Sequence, residues 1–174
     1  MQEGTLRLLT SGELRLAREL FHDAINYSKV WIHCDSYLPF GLQQPQRVMA
    51  PNGEIYFRSY NYCADFSLAD IVRQHLFMHE MTHVWQFQKS YNVRLHGLFS
   101  WLADYHYQLD GSALGSYSME QQASLVADYW LLKHWGFDGM DNIINYAGNH
   151  EWMDDFLLLR RYEKVLGSFP WCTI

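Results

Sequence analysis

Apolar residues recur at helical spacing through Leu14, Ala17, Leu20, Phe21, Ala24 and Ile25, so one buried stripe and a helix over residues 11–26 are predicted. Thr10 and Glu13 precede it at the spacing of a capping box, in which each side chain satisfies the other's backbone N–H. The pattern then changes to period two. VWIHCD at 30–35 and GEIYFR at 53–58 read as strands, the second following the turn-forming run Pro51, Asn52 and Gly53. Between them, Pro39, Gly41 and Pro45 make residues 36–50 a long loop. A second helix opens at Ser67 and Asp70 and carries Ile71, Val72, Met78, Met81, Val84 and Trp85 to about Ser90. Residues 94–109, RLHGLFSWLADYHYQL, also read as helix, with aromatic crowding that leaves the buried face undefined. Ser118 and Gln121 start another helix, which places Glu120 in its first turn and ends near Lys133 and His134, with Gly136 just beyond. Asn149 is expected to cap a last helix bearing Trp152, Met153, Phe156, Leu157 and Leu159, with Arg160, Arg161 and Lys164 where the helix dipole favours cations. The prediction is an α+β fold, helix-rich with a small sheet, and no repeat or linker divides it.

Composition narrows the picture. With 174 residues and 49% hydrophobic content, the chain can bury its own core, so residues 1–174 are expected to form a single domain without disulfide help. A formal charge of -6 and the absence of any Lys/Arg run argue against nucleic acid as a partner. No stretch approaches the ~18 uncharged apolar residues of a membrane span, and the N-terminus lacks the apolar core of a secretion signal. Work outside the cytoplasm would then require another carrier. Aromatics make up 17% of the chain, which suits a dense core or a cleft that grips extended chains. Cys34, Cys63 and Cys172 show no C-x-x-C spacing and read as thiols, although a Cys34 to Cys63 bridge is conceivable.

The chemistry concentrates in HEMTH at 79–83, an H-E-x-x-H motif. Residues four apart share a helix face, so His79 and His83 can direct two imidazole nitrogens to one zinc ion at about 2.0–2.1 Å. Glu80, offset by one position, then flanks the metal as the general base that takes a proton from water. Nine histidines make a chance match conceivable, but a chance match would usually fall in a loop, whereas this one is inside a helix predicted on other grounds. A hydrolytic zinc site typically has three protein ligands and one exchangeable water, so a third ligand must come from downstream. Glu120 fits best, because Ala123 follows one turn later and leaves room for the two helices to approach. Asp128, two turns along, is the rival ligand or a partner of one histidine. His75 and Gln86 lie near the same face and read as packing residues outside the site. Tyr105, His106, Tyr107 and Tyr117 are candidates to stabilise an oxyanion, with no ground for choosing among them. GEIYFR is placed as an edge strand that could pair with an extended peptide.

HEMTHVWQ at 79–86, LFSWLADY at 98–105 and MEQQASLVADYW at 119–130, together with SYLPFGLQ and PNGEIYF upstream, resemble the zinc metallopeptidase effector domains at the C-termini of type VI secretion VgrG spike proteins. The resemblance implies a zincin-like fold with an active-site helix, Zn²⁺ on His79, His83 and Glu120, and catalysis by Glu80. It also implies an antibacterial toxin that cleaves protein or peptide substrates in the periplasm of a target cell. An immunity protein would protect the producer, and a secretion spike or carrier would deliver the toxin. The sequence departs from that pattern in having no spike domain, as expected of either an excised domain or a free-standing effector. Two further readings are a metal hydrolase acting on cell-wall peptides or amides, and a zinc-stabilised binding module. The second would favour four closed ligands and would not need Glu80.

Overall fold

The computed structural model describes residues 3–90, 104–150 and 153–172. Strand β1 (Thr5–Leu8) pairs antiparallel with β2 (Trp31–Cys34), and β2 pairs parallel with β3 (Ile55–Phe57), giving the sheet order β1-β2-β3. β2 and β3 are the predicted strands, trimmed at both ends. β1 has no clear alternation in its sequence and owes its conformation to the pairing of Thr5 with Cys34 and of Leu8 with Trp31.

Helix α1 (Ser11–Phe21) begins with the predicted box: Thr10 Oγ1 accepts from the Glu13 N–H at 3.1 Å and a Glu13 oxygen accepts from the Thr10 N–H at 2.9 Å. It stops at His22, where φ turns positive at 47°, so Ala24 and Ile25 pack from a following turn and not from the helix. Glu13 does more than cap. Fully buried, it also takes both guanidinium nitrogens of Arg7 at 2.7 Å and the Phe66 N–H at 2.9 Å, tying β1, α1 and the turn before the next helix to one carboxylate.

Helix α2 (Ile71–Gln88) is capped by Asp70, whose side chain accepts from the Arg73 N–H at 3.0 Å. Ser67 belongs instead to a preceding 3₁₀ turn, Phe66–Leu68, capped by Asp65. Every residue from Phe77 to Gln86 is buried, so α2 is a central helix of the fold. Helix α3 (Met119–Trp135) carries the predicted Ser118–Gln121 box, ends at Gly136, and is the main packing partner of α2.

Helix α4 (Asp155–Leu166) corrects the expected start: Asp154 caps it, accepting from the Phe156 N–H at 2.7 Å, and Asn149 lies outside. The register of its buried face shifts accordingly to Leu158, Tyr162, Val165 and Leu166, leaving Phe156 and Leu157 in solvent. Trp152 lies outside the described residues, as does most of the helix expected at 94–109. Where that stretch is described, residues 104–109 are extended, and Tyr107 bridges Tyr146. The three cysteines are unbridged.

The long loop before β3 is held by one buried side chain. Gln43 Oε1 accepts from the Tyr37 N–H at 2.8 Å, while its Nε2 donates to the Arg47 carbonyl at 2.8 Å and the Tyr56 carbonyl at 2.9 Å. Met49 then exchanges two backbone hydrogen bonds with Tyr56, at 3.3 and 2.8 Å. The outer edge of β3 is therefore occupied at Tyr56 by Met49. β3 is thus an edge strand of the sheet, as placed from the sequence, with Tyr56 on its outer side already paired.

Candidate metal centre

α2 and α3 bring together His79, His83 and Glu120, whose ligand atoms all lie within 4.8 Å of one another and which are all buried. Glu120 Oε2 sits 3.2 Å from His79 Nε2 and 3.0 Å from His83 Nε2. Helical spacing directs both imidazoles to one point, and Ala123, fully buried one turn beyond Glu120, lets α3 approach. Two nitrogens and one carboxylate oxygen form a donor set of the borderline character that suits zinc, and the group could hold a metal ion.

Gln86 fixes the ring of His83. Its amide nitrogen donates to the Met119 carbonyl and to Gln122 Oε1, each at 3.0 Å, so its oxygen must accept from His83 Nδ1 at 2.8 Å. This bond leaves His83 Nε2 facing the cluster, the usual way a neighbour sets a ligand's tautomer. Gln86 thus belongs to the site from which its sequence position had excluded it, and its partners, distant in sequence on α3, gave no signal.

Burial sets the charge states. It raises the Glu80 carboxyl to about 7, with His83 opposing and Glu120 adding to the shift. Burial alone would lower His83, but Glu120 overrides it and raises the imidazole to about 9, whereas His79 is lowered by burial. Burial also works against ionised Glu120, yet His83 and His79 hold it below the usual carboxylate range. Without metal, these shifts favour a protonated His83 beside an ionised Glu120. Among the described residues the buried Glu80 Oε2 has no hydrogen-bond partner, a costly state for a carboxyl group and one that a ligand in the cleft could relieve.

These groups line a cleft of about 500 Å³ whose rim is the segment around Arg47 and Met49. Tyr105 lines it too, its ring centroid 6.0 Å from that of His79. The other three oxyanion candidates are elsewhere: His106 is exposed beside Asp104, Tyr117 donates to the Gln108 carbonyl and Asp110, and Tyr107 is buried against Asp128 and Tyr162. Asp128 is not in the three-residue cluster. Its Oδ1 is 2.8 Å from His75 Nε2, and its Oδ2 accepts from Tyr107 Oη at 2.7 Å and the N–H groups of Asn145 and Tyr146 at 2.8 and 3.1 Å. His75, set aside in the sequence, lines the cleft one turn before His79.

Fold and site define an α+β protein with a candidate metal centre at the floor of a cleft. No protein-family profile matches the chain. The solved effector domain of Pseudomonas aeruginosa VgrG2b aligns with a TM-score of 0.67 and 38% identity over 83% of this chain and 87% of that one. The type VI secretion system spike protein VgrG2b of the same organism is 45% identical over 136 residues, which cover 74% of this chain but only 13% of the spike protein. The chain belongs to the family of VgrG2b effector domains.

Proposed function

We propose that the chain is a zinc-dependent peptidase of zincin type, an antibacterial effector delivered by type VI secretion into the periplasm of a target cell. A cognate immunity protein would protect the producer, and a spike or carrier would transport the domain. The observation that carries the reading is the convergence of His79, His83 and Glu120 beside the unpartnered, buried Glu80 Oε2. Zinc held by this set would lower the pKa of a water to about 7 and polarise a peptide carbonyl. Glu80 would accept the proton at Oε2 and pass it to the leaving amine, work suited to a carboxyl raised to about 7. Tyr105, whose phenol is raised to about 12 by burial and by Glu120 and Glu80, stays protonated and would donate to the substrate oxygen that gains charge. A binding module would favour four closed ligands, whereas three converge among the described residues and the cleft opens over them.

Glu80→Gln tests the reading. The variant should fold, bind about one zinc per chain, and lose hydrolysis of periplasmic proteins by about 10²- to 10⁴-fold. Export of the wild type into the periplasm of a bacterium without immunity should be toxic, and export of the variant at equal abundance should not. Equal toxicity would refute the catalytic account. Parallel digestion of purified peptidoglycan separates a protein substrate from a cell-wall peptide.

A further inference from the structure

Most arginines among the described residues are matched or solvated. Arg7, Arg18, Arg58, Arg73 and Arg160 form ion pairs, and Arg15 and Arg161 are exposed to water. Arg47 is neither. It is half-buried at the cleft rim and its side chain has no ion pair or hydrogen bond among the described residues. The backbone beneath it is fixed, since its N–H donates to the Gln44 carbonyl at 3.0 Å, its carbonyl accepts from Gln43, and Met49 is pinned to Tyr56. Among the described residues Arg47 is also the one Lys or Arg lining the cleft, which Glu80 and Glu120 line as well. Its charge reaches the Tyr105 phenol, where it opposes the effects of burial and of those two carboxylates.

A partly buried guanidinium whose five N–H donors have no partner among the described residues calls for an acceptor of matching shape, and a carboxylate fits that planar fork with two parallel bonds. Neither cleft carboxylate supplies it: Glu120 is committed to His79 and His83, and Glu80 makes no bond to Arg47. We infer that Arg47 is the specificity determinant of this cleft, binding a substrate carboxylate so that cleavage falls at a fixed distance from it. The carboxylate is an acidic side chain or a free C-terminus of a peptide. The inference rests on the peptidase reading.

Two randomised peptide pools, one blocked at both ends and one with free C-termini, would be digested by zinc-loaded wild type and sequenced by mass spectrometry. Asp or Glu enriched at one position from the cut identifies a side-chain carboxylate; cuts confined to the free-ended pool identify the C-terminus. For the best peptide and its amide isostere, Arg47→Ala should lower the acid-over-amide ratio of kcat/KM by about 10- to 100-fold, mainly through KM. Arg47→Lys should restore only part of it. If wild type cuts acid and amide peptides equally, the Arg47 assignment is wrong while the peptidase reading stands. Affinity selection of the same pools on zinc-loaded Glu80→Gln, with and without Arg47→Ala, reads binding without turnover. Carboxylate enrichment that depends on Arg47 supports the site even if no peptide is cut, an outcome that would remove only the peptidase reading. Enrichment unchanged by Arg47→Ala, or none in either protein, overturns the assignment.

Discussion

Glu120 and Asp128 lie two turns apart on one helix, both buried carboxylates facing histidines of α2, and their neighbours set them to different tasks. Glu120 meets two imidazoles through one oxygen; Asp128 holds His75, Tyr107 and two backbone N–H groups together. Glu120→Gln should therefore weaken zinc binding sharply in a chelator competition titration while leaving the fold intact. Asp128→Asn should do the opposite, lowering stability by at least ~1–3 kcal/mol in chemical denaturation, because buried donors lose a charged acceptor, while retaining about one zinc per chain. The reverse order of effects would make Asp128 the ligand. Gln86→Ala, which frees His83 Nδ1 and leaves the Met119 carbonyl without its donor, should cost about 10- to 100-fold in zinc affinity.

At the scale of elements, the cleft depends on how the rim and β3 meet α2. Gly53, in the turn before β3, has φ of 81°, and a Cβ there would come within 2.7 Å of the Phe87 ring at the end of α2. Gly53→Ala should destabilise by about 1–2 kcal/mol from the left-handed backbone alone. It should also raise KM by shifting the rim, and a variant equal to wild type in both denaturation and KM would refute this coupling. Helix starts were legible where a cap is a local matter of three residues, as at Thr10 and Ser118. They were misplaced where several polar residues compete, as with Asn149 against Asp154 and Ser67 against Asp70, because such choices depend on which register buries Leu158 and Tyr162 or Phe77 and Met78.

For the molecule as a whole, the buried cluster links stability to pH. Metal-free His83 is raised to about 9, so its stabilising contribution is complete below its ordinary pKa near 6.5 and is lost as pH rises through 9. Glu80, raised to about 7, adds in the same direction between 4.5 and 7, whereas Glu120, held low, contributes above its ordinary range and loses its contribution only in acid. The melting temperature of metal-free protein should fall from about pH 6 to pH 9. Zinc bound by this group would displace the proton on His83, so the gain in melting temperature on adding zinc should widen over the same interval. A metal-free melting temperature that stays flat across that range would contradict the pairing of protonated His83 with Glu120.

By itself the sequence determined what periodicity and short spacing can carry: four helices, two strands, and a motif whose four-residue step aligns His79 and His83 with Glu80 beside them. It also favoured Glu120, through a first-turn position and a small residue one turn on. Only the tertiary structure decided the rest. That α3 holds Gln86 against His83, that His75 and Asp128 form a separate buried network, that Tyr105 lines the cleft, and that Met49 pairs with Tyr56 all depend on how separate segments pack. β1 belongs with them, since Thr5–Leu8 is extended only because β2 supplies its hydrogen bonds. Local sequence encodes backbone preference and helical phase, but which polar side chains are brought together from distant segments is set by the packing of α2 against α3 and of the loop against the sheet.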